Sequence, residues 1–175
     1  MPINDCTKNY QYLVETEFPS YMRKLEEPSK VPLKQFGNKG WGVKRLIKEL
    51  DLQSDFKGCY VMFEKTEPVY VGISKCVISR LIQHVRGNTH FAATLAYRIA
   101  KKEFPHKLSR EEAMKDPTFI DLFTSAKERI KGMHVIFVEI ENPLELYIFE
   151  PYCAMKFKTA TMECKADELN TFETH

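Results

Sequence analysis

Apolar and polar positions alternate in two short segments near the middle of the chain, residues 59–64 and 68–73. Apolar side chains occupy every second position there, which is the two-residue period of a strand with one buried face. The polar tripeptide Lys65-Thr66-Glu67 separates the segments and suits a hairpin connection. Because Pro68 cannot donate to a strand ladder, we expect the second strand to begin there.

Two tyrosines fall on one face of this hairpin. If Glu64 pairs with Pro68, Tyr60 and Tyr70 become diagonal neighbours, roughly 7–8 Å apart. Cys59 and the aliphatic residues then point to the opposite face, which we expect to be buried in the core.

The hairpin is followed by a pattern typical of an amphipathic helix, with Ser74 as a candidate N-cap and Gly87 at the C-terminal end. At about 100° per residue, one arc collects the apolar side chains Val77, Ile78, Leu81, Ile82 and Val85. Arg80 and His84 lie together at the rim of this arc, one turn apart. We therefore expect both to be partly anchored by the core and open to a cleft.

Helical patterns dominate the remainder of the chain. Residues 7–27 have helical composition interrupted by Pro19, and predicted helices cover 43–50, 90–104, 116–131 and 142–157, whereas 31–42 is predicted to be a loop. Residues 135–140 are β-branched and aromatic and supply a third strand. The fold class predicted is α+β: a small three-stranded antiparallel sheet flanked by helices. We expect an N-terminal helical, basic arm at 1–50 and a core domain at 51–175 with a helical insertion at about 88–132.

Composition excludes several classes of protein. At 175 residues the chain can bury a real core. It contains no apolar run long enough to cross a bilayer, and no secretory signal is visible at its start. The five cysteines include no Cys-x-x-Cys pair, which favours thiols in a reducing cytoplasm over disulfides or a zinc site.

Charge is distributed unevenly although the net charge is only +2. Residues 30–48 and 68–102 carry lysines and arginines but no acidic residue. Solvated charge runs are common, yet two such segments can form a basic surface for a phosphate backbone. We therefore predict DNA as the partner, with the candidate contacts Lys39, Lys44, Arg45, Lys75 and Arg86.

The segments Gly58-Cys59-Tyr60 and Tyr70-Val71-Gly72, followed by Arg80 and His84, resemble the GIY-YIG nuclease family. Cys59 replaces the isoleucine of the first signature word, at a position directed to the buried face. The similarity resumes in the C-terminal helix at Glu150 and ends at Asn170. Within this family, the chain resembles the stand-alone bacterial members with restriction-like or repair-like roles.

The resemblance implies a metal-dependent DNA endonuclease that hydrolyses phosphodiester bonds. By this similarity Glu150 would bind one Mg²⁺ or Mn²⁺, and Arg80 would bind the scissile phosphate. Tyr60 would act as general base or orient the attacking water, a role that His84 could share or assume. Tyr70 would position water or phosphate, while Gly72 and Asn170 would support the site.

Several alternatives remain open at this level. Glu145 lies on the same predicted helix as Glu150 and could be the metal ligand instead, although it also suits a capping box behind Asn142. A second hypothesis for the function is a catalytically inactive DNA-binding module on the same fold. The oligomeric state is open, with a homodimer among the options.

Overall fold

The computed structural model describes residues 6–159, so Asn170 and Cys164 lie outside the described residues. Contacts divide the chain into two compact units. Within the described range, the first contains residues 6–31, 56–77 and 134–159, and the second contains 32–55 and 78–133. The boundary predicted at residue 50 does not coincide with this division, because apolar side chains of residues 6–31 join the core beneath the sheet.

The described residues contain four strands and eight α-helices. The strands are β1 (Val31–Pro32), β2 (Gly58–Glu64), β3 (Glu67–Ser74) and β4 (His134–Glu139). The helices are α1 (Tyr10–Tyr12), α2 (Phe18–Glu26), α3 (Val43–Glu49), α4 (Val77–Arg86), α5 (Thr94–Glu103), α6 (Arg110–Ala113), α7 (Pro117–Lys131) and α8 (Pro143–Phe157). A π-helical turn at Leu13–Glu17 joins α1 to α2, and a 3₁₀-helix covers Leu33–Gly37.

The prediction of an α+β fold is confirmed, but the sheet has four strands rather than three. Its order is β1-β4-β2-β3, and β2 pairs antiparallel with both β3 and β4. The additional strand, β1, is a two-residue edge strand that ends in Pro32. Two residues are too few for alternation to reveal a strand, and proline is tolerated at a sheet edge because no neighbour needs its N–H there.

The register between β2 and β3 places Tyr60 opposite Gly72 and Met62 opposite Tyr70. The register shifts between Met62 and Phe63. The hairpin connection is therefore one residue shorter than the predicted pairing of Glu64 with Pro68 requires. Beyond that irregularity the ladder has the predicted register. Tyr60 and Tyr70 are therefore diagonal neighbours on one face, as the alternation predicted.

The core of the first unit lies on the opposite face of the sheet, which α2 and α8 cover. Phe18 of α2 and Phe149 of α8 are fully buried, with ring centroids 5.4 Å apart in an edge-to-face arrangement. Burial of each ring contributes about 2–3 kcal/mol. Cys59 is also fully buried in this core, as expected from its position in the strand.

The interruption predicted at Pro19, as two short helices or a kink, takes the form of a π-helical turn between α1 and α2. The N–H of Phe18 donates to the carbonyl of Leu13, five residues earlier, and Pro19 then lies in the first turn of α2. Proline has no N–H to donate, so a wider turn ahead of it avoids a missing hydrogen bond inside a regular helix.

Helix α4 is capped by Asp55 and not by the predicted Ser74. The Asp55 carboxylate accepts hydrogen bonds from the backbone N–H of Ile78 at 2.8 Å and of Ser79 at 3.0 Å. It also accepts the Ser79 hydroxyl at 2.6 Å. A carboxylate satisfies free N–H groups and opposes the positive end of the helix dipole, which makes it a stronger cap than a neutral hydroxyl.

The second unit is helical. Its largest element contact joins α5 to α7, where the rings of Tyr97 and Phe119 lie 5.1 Å apart. Asp116 is the N-cap of α7, and its side chain accepts hydrogen bonds from the backbone N–H groups of Thr118 and Phe119. Helix α5 begins at Thr94, four residues later than predicted, because residues 90–93 form turns.

No helix within residues 6–159 combines the length and apolar character needed to cross a membrane. The four described cysteines, Cys6, Cys59, Cys76 and Cys153, are free thiols, as the sequence predicted.

We predict that Gly72→Ala destabilises the protein by about 2 kcal/mol or more. A Cβ at this position would lie 2.7 Å from both Cζ and Oη of Tyr60 and 2.8 Å from Cε1 of Tyr70. Tyr60 is 1 % exposed, so its ring has no free space into which it can move. Urea unfolding monitored by circular dichroism measures the effect.

Gly132→Ala is the matched control, since its Cβ would meet no atom closer than 3.4 Å and the backbone φ of −75° suits alanine. We expect its free energy of unfolding to change by less than about 1 kcal/mol. Equal stability of both variants would contradict the close packing of Tyr60 on Gly72.

Candidate functional site

The two tyrosines of the predicted site lie together in the first unit. The ring centroids of Tyr60 and Tyr70 are 6.0 Å apart with the planes tilted by 39°. Tyr60 is buried, whereas Tyr70 is half-buried. Gly72 provides the space for this arrangement, because its missing side chain leaves room for the phenol end of Tyr60. Strand register and one glycine therefore position both hydroxyl-bearing rings.

Arg80 lies in the second unit, on α4, and its guanidinium is held in one orientation. Nη1 donates to Gln83 Oε1 at 3.0 Å and to the Ala92 carbonyl at 3.1 Å, and Nη2 donates to Thr94 Oγ1 at 3.2 Å. All three acceptors are neutral, so these bonds orient the group without cancelling its charge. A guanidinium has five N–H donors, so these three bonds leave the Nε–H and one hydrogen of Nη2 as further donors.

His84 is fully buried, so the expectation that it lies at a rim open to a cleft is wrong. The pKa of His84 is lowered to about 3, first by burial and then by the positive charges of Arg80 and Arg98. Both effects penalise the imidazolium form, because a buried cation loses its hydration and is repelled by like charge. His84 is therefore neutral at neutral pH, with a donor on one ring nitrogen and an acceptor on the other.

The two glutamates of α8 have different environments. Glu145 is buried, accepts a hydrogen bond of 2.7 Å from the Tyr21 hydroxyl and forms an ion pair of 3.1 Å with Lys8. Burial and the negative charge of Glu145 raise the pKa of Tyr21. The carboxylate of Glu145 thus joins the N-terminal segment to α8. Glu150 is half-buried and lies directly before Pro151, which remains within the helix.

The predicted capping of α8 is confirmed only for Asn142. Its side chain accepts from the backbone N–H groups of Leu144 at 2.9 Å and Glu145 at 3.1 Å. The Glu145 side chain makes the Tyr21 and Lys8 contacts just described, so its role is to link α8 to the N-terminal segment.

The residues of the first unit fit a divalent ion in only one way. Within residues 6–159, no group of three or more His, Cys, Asp or Glu side chains is arranged to hold a metal. Mg²⁺ is nevertheless commonly bound by one or two carboxylates together with water and substrate phosphate oxygens. Glu150 is half-buried and could supply one such carboxylate, and Glu145 is buried and paired with Lys8.

The basic residues predicted to contact DNA differ in their surroundings. Lys39, Lys44 and Lys75 are exposed. Arg45 forms an ion pair of 2.6 Å with Glu49, its guanidinium lying 5.5 Å from the centre of the Trp41 ring.

Arg86 has a structural role. Its Nη2 donates to the carbonyls of Asn38 and Trp41, at 2.6 Å each, and so holds the loop between the 3₁₀-helix and α3 against α4. The acid-free pattern of the sequence could not distinguish this arginine from one directed to solvent.

The predicted site residues are divided between the two units. Tyr60, Tyr70, Gly72, Glu150 and Lys75 belong to the first, and Arg80, His84, Lys39, Lys44, Arg45 and Arg86 belong to the second. Sequence analysis missed Asp55, Ala92 and Thr94, which fix α4 and the Arg80 guanidinium. The sequence offers two indications of these contacts, a threonine and a loop without acids shortly after Arg80. A contact made by a backbone carbonyl cannot be recognised from residue types.

Comparison with known proteins found no family model, no curated protein and no solved structure that matches the chain.

We predict that the protein loses stability on acidification between about pH 6.5 and pH 3 because of His84. The unfolded histidine takes up a proton below its ordinary pKa of 6.5, while the folded one stays neutral until its lowered pKa of about 3 is reached. Protons then favour the unfolded state, and the free energy of unfolding falls by about 2 kcal/mol between pH 6.5 and about pH 5. Urea unfolding at a series of pH values measures this contribution.

His84→Asn is the test variant and His134→Asn, on a half-buried histidine of β4, is the control. The pH dependence in this window should shrink for the first variant and persist for the second. An unchanged slope in His84→Asn would rule out its neutral burial.

We predict that Glu145→Ala destabilises the protein by about 1–2 kcal/mol, because Tyr21 loses its hydrogen-bond acceptor and Lys8 keeps only its second carboxylate partner, Glu17. Glu150→Ala, on the half-buried position of the same helix, should cost less than about 1 kcal/mol. Denaturant unfolding of both variants measures the difference. A larger cost for Glu150→Ala would mean that it, and not Glu145, is the glutamate that stabilises the packing of α8.

Proposed function

We propose that the protein is a divalent-metal-dependent DNA endonuclease of the GIY-YIG kind, which hydrolyses phosphodiester bonds. The observation that carries this proposal is the Arg80 guanidinium. It is oriented by three neutral acceptors, keeps its full charge and retains two N–H donors. Such a preset cation suits the charge that develops on phosphorus during hydrolysis.

The tyrosine pair supports a role in positioning the nucleophile. Burial lowers the pKa of His84 to about 3, and a base of that pKa accepts a proton from water poorly. We therefore assign the attacking water to the tyrosine pair: half-buried Tyr70 would hold water or a phosphate oxygen, and buried Tyr60, 6.0 Å away between ring centroids, would orient that water together with it. Neutral His84 serves as a hydrogen-bonding group rather than as the base.

Glu150 is the residue that would hold Mg²⁺ or Mn²⁺, since its carboxylate is a hard oxygen ligand and lies at a half-buried position of α8, whereas Glu145 is buried. When bound, the ion supplies stabilisation of negative charge at the leaving oxygen. Fixing the carboxylate on α8, a helix whose buried face is packed in the core, limits the conformations that Glu150 must give up on binding.

DNA as the substrate is supported by charge. Residues 68–102 contain six lysines and arginines and no acid, and Lys39, Lys44 and Lys75 are exposed. Neutralisation of backbone phosphates by such side chains gives binding that weakens as salt is added. The free thiols Cys6, Cys59, Cys76 and Cys153 support a location in a reducing cytoplasm.

A DNA-binding module without catalysis is the second candidate. It is favoured by the full burial of His84 and by the lack, within the described residues, of a preformed group of three metal ligands. This alternative keeps the basic surface and predicts salt-sensitive binding with no need for a metal.

We predict cleavage of plasmid and short duplexes in Mg²⁺ or Mn²⁺, with losses of about 100-fold or more in Arg80→Ala and Glu150→Ala. Removing Arg80 takes away the donors aimed at the phosphate, and removing Glu150 takes away the carboxylate for the metal. Gel assays with random-sequence duplexes, branched DNA and single strands measure the rates. Calorimetry with Mn²⁺ measures metal binding independently, and Glu150→Ala should abolish it.

Arg23→Ala and Glu111→Ala, at exposed positions on α2 and α6, are the matched controls and should cut at the wild-type rate. Equal cutting by the wild type and both test variants would reveal a contaminant. Tight DNA binding with neither Mn²⁺ binding nor cleavage would establish the second candidate instead.

A further inference from the structure

Phe91 is 70 % exposed, although phenylalanine is among the residues most often buried. It lies in the connection between α4 and α5, close to the exposed polar residues Asn88 and Thr89. A single exposed apolar side chain is common on protein surfaces. The backbone around this one, however, is fixed by hydrogen bonds and is joined to Arg80.

The connection is a built turn. The backbone N–H of Ala93 donates to the Thr89 carbonyl at 2.9 Å, and that of Ala92 donates to Thr89 Oγ1 at 3.2 Å. His90 is buried, and its ring centroid lies 4.0 Å from that of Phe91 and 6.1 Å from that of Tyr97. The exposed ring therefore lies against a buried one, which leaves most of its surface open to a ligand.

Two hydrogen-bonded paths join Phe91 to Arg80. In the first, Arg80 Nη2 donates to Thr94 Oγ1 at 3.2 Å, and the Thr94 hydroxyl donates in turn to the Phe91 carbonyl at 3.0 Å. In the second, Arg80 Nη1 donates to the carbonyl of Ala92, the next residue along the chain. The guanidinium and the backbone that carries the exposed ring are thus held together within one unit.

We propose that Phe91 is a nucleobase-stacking residue that positions the DNA strand whose phosphate is bound by Arg80. The inference rests on the proposed function, since it takes Arg80 to be a phosphate-binding residue. A nucleotide offers both groups that this pair can recognise, a negative phosphate and a flat apolar base. Stacking of a base on an aromatic side chain contributes to binding whatever its sequence, because every base has a π-face.

Charge favours a nucleic acid over a membrane or an apolar protein surface. Arg98, Lys101 and Lys102 follow on α5, and the surrounding residues 68–102 lack acids. Asn88 and Thr89 would have to lose their hydration if the turn entered a lipid layer. An unpaired or distorted base is the preferred occupant, because a base within a regular duplex is already stacked on both sides.

The test compares Phe91→Ala, Phe91→Leu and Phe91→Trp in fluorescence-anisotropy binding to single strands and to mismatched duplexes over a range of salt. Phe91→Ala should weaken binding by about tenfold to a hundredfold. Its salt slope should equal that of the wild type, because no charge is lost. Arg80→Ala should instead reduce the magnitude of the slope of log K against log salt concentration by about the amount that one phosphate contact contributes. Phe91→Trp should bind as tightly as the wild type, whereas Phe91→Leu should bind as weakly as Phe91→Ala.

A strand carrying 2-aminopurine gives a spectroscopic readout of stacking. Its fluorescence should be quenched at one position by the wild type and by Phe91→Trp, and this quenching should be lost in Phe91→Ala. Tyr147→Ala, at a 65 % exposed aromatic position on α8, is the matched control and should bind and quench like the wild type.

The outcomes separate this inference from the proposed function. Binding and cleavage by the wild type with unchanged affinity in Phe91→Ala, or full recovery in Phe91→Leu, would overturn the stacking role alone. Absence of any DNA binding by the wild type would overturn the proposed function and the stacking role with it. Loss of vesicle binding in Phe91→Ala without loss of DNA binding would assign the ring to a membrane instead.

Discussion

The close approach of Tyr60 to Gly72 is the constraint on which the tyrosine half of the candidate site depends. These residues face each other across β2 and β3, and the phenol end of Tyr60 occupies the space that any larger side chain would fill. The same register sets Tyr70 on the diagonal, 6.0 Å away between ring centroids. Because a one-residue slip would send every side chain to the other face, the irregularity after Met62 is confined to the hairpin end.

Helix α8 shows how burial separates two residues of the same type. Glu145 is buried, pairs with the charge of Lys8 and accepts a hydrogen bond from Tyr21, so it stabilises the attachment of the N-terminal segment. Glu150 lies five residues later, is half-buried and suits a ligand-binding role. The first unit thereby combines a firmly attached helix with one carboxylate placed at its more accessible side, and the metal half of the proposed site depends on that attachment.

Three arginines of the second unit have different kinds of hydrogen-bond and ion-pair partners. Arg86 is used internally, holding a loop through two carbonyls, and Arg45 is paired with Glu49. Arg80 is oriented by neutral acceptors and retains its charge. Arg80 and Arg86 therefore both keep their charge, but the contacts of Arg86 hold a loop in place. A positioned charge is what the proposed binding of a phosphate by Arg80 requires. The hydrogen bonds that orient Arg80 also fix the turn that exposes Phe91.

Elements whose cause is local could be predicted from the order of the residues alone. Alternation fixed the hairpin and the diagonal of Tyr60 and Tyr70, and Asn142 fixed the start of α8. Three other features arise from packing in the folded chain: the cap of α4 by Asp55, the full burial of His84 and the pairing of Glu145 with Lys8. Each depends on groups far apart in the chain. Helical periodicity predicts the side of the helix on which a residue lies, but not which other parts of the chain pack against that side. Local pattern therefore predicted where side chains point, whereas packing decided their charge, their exposure and their partners.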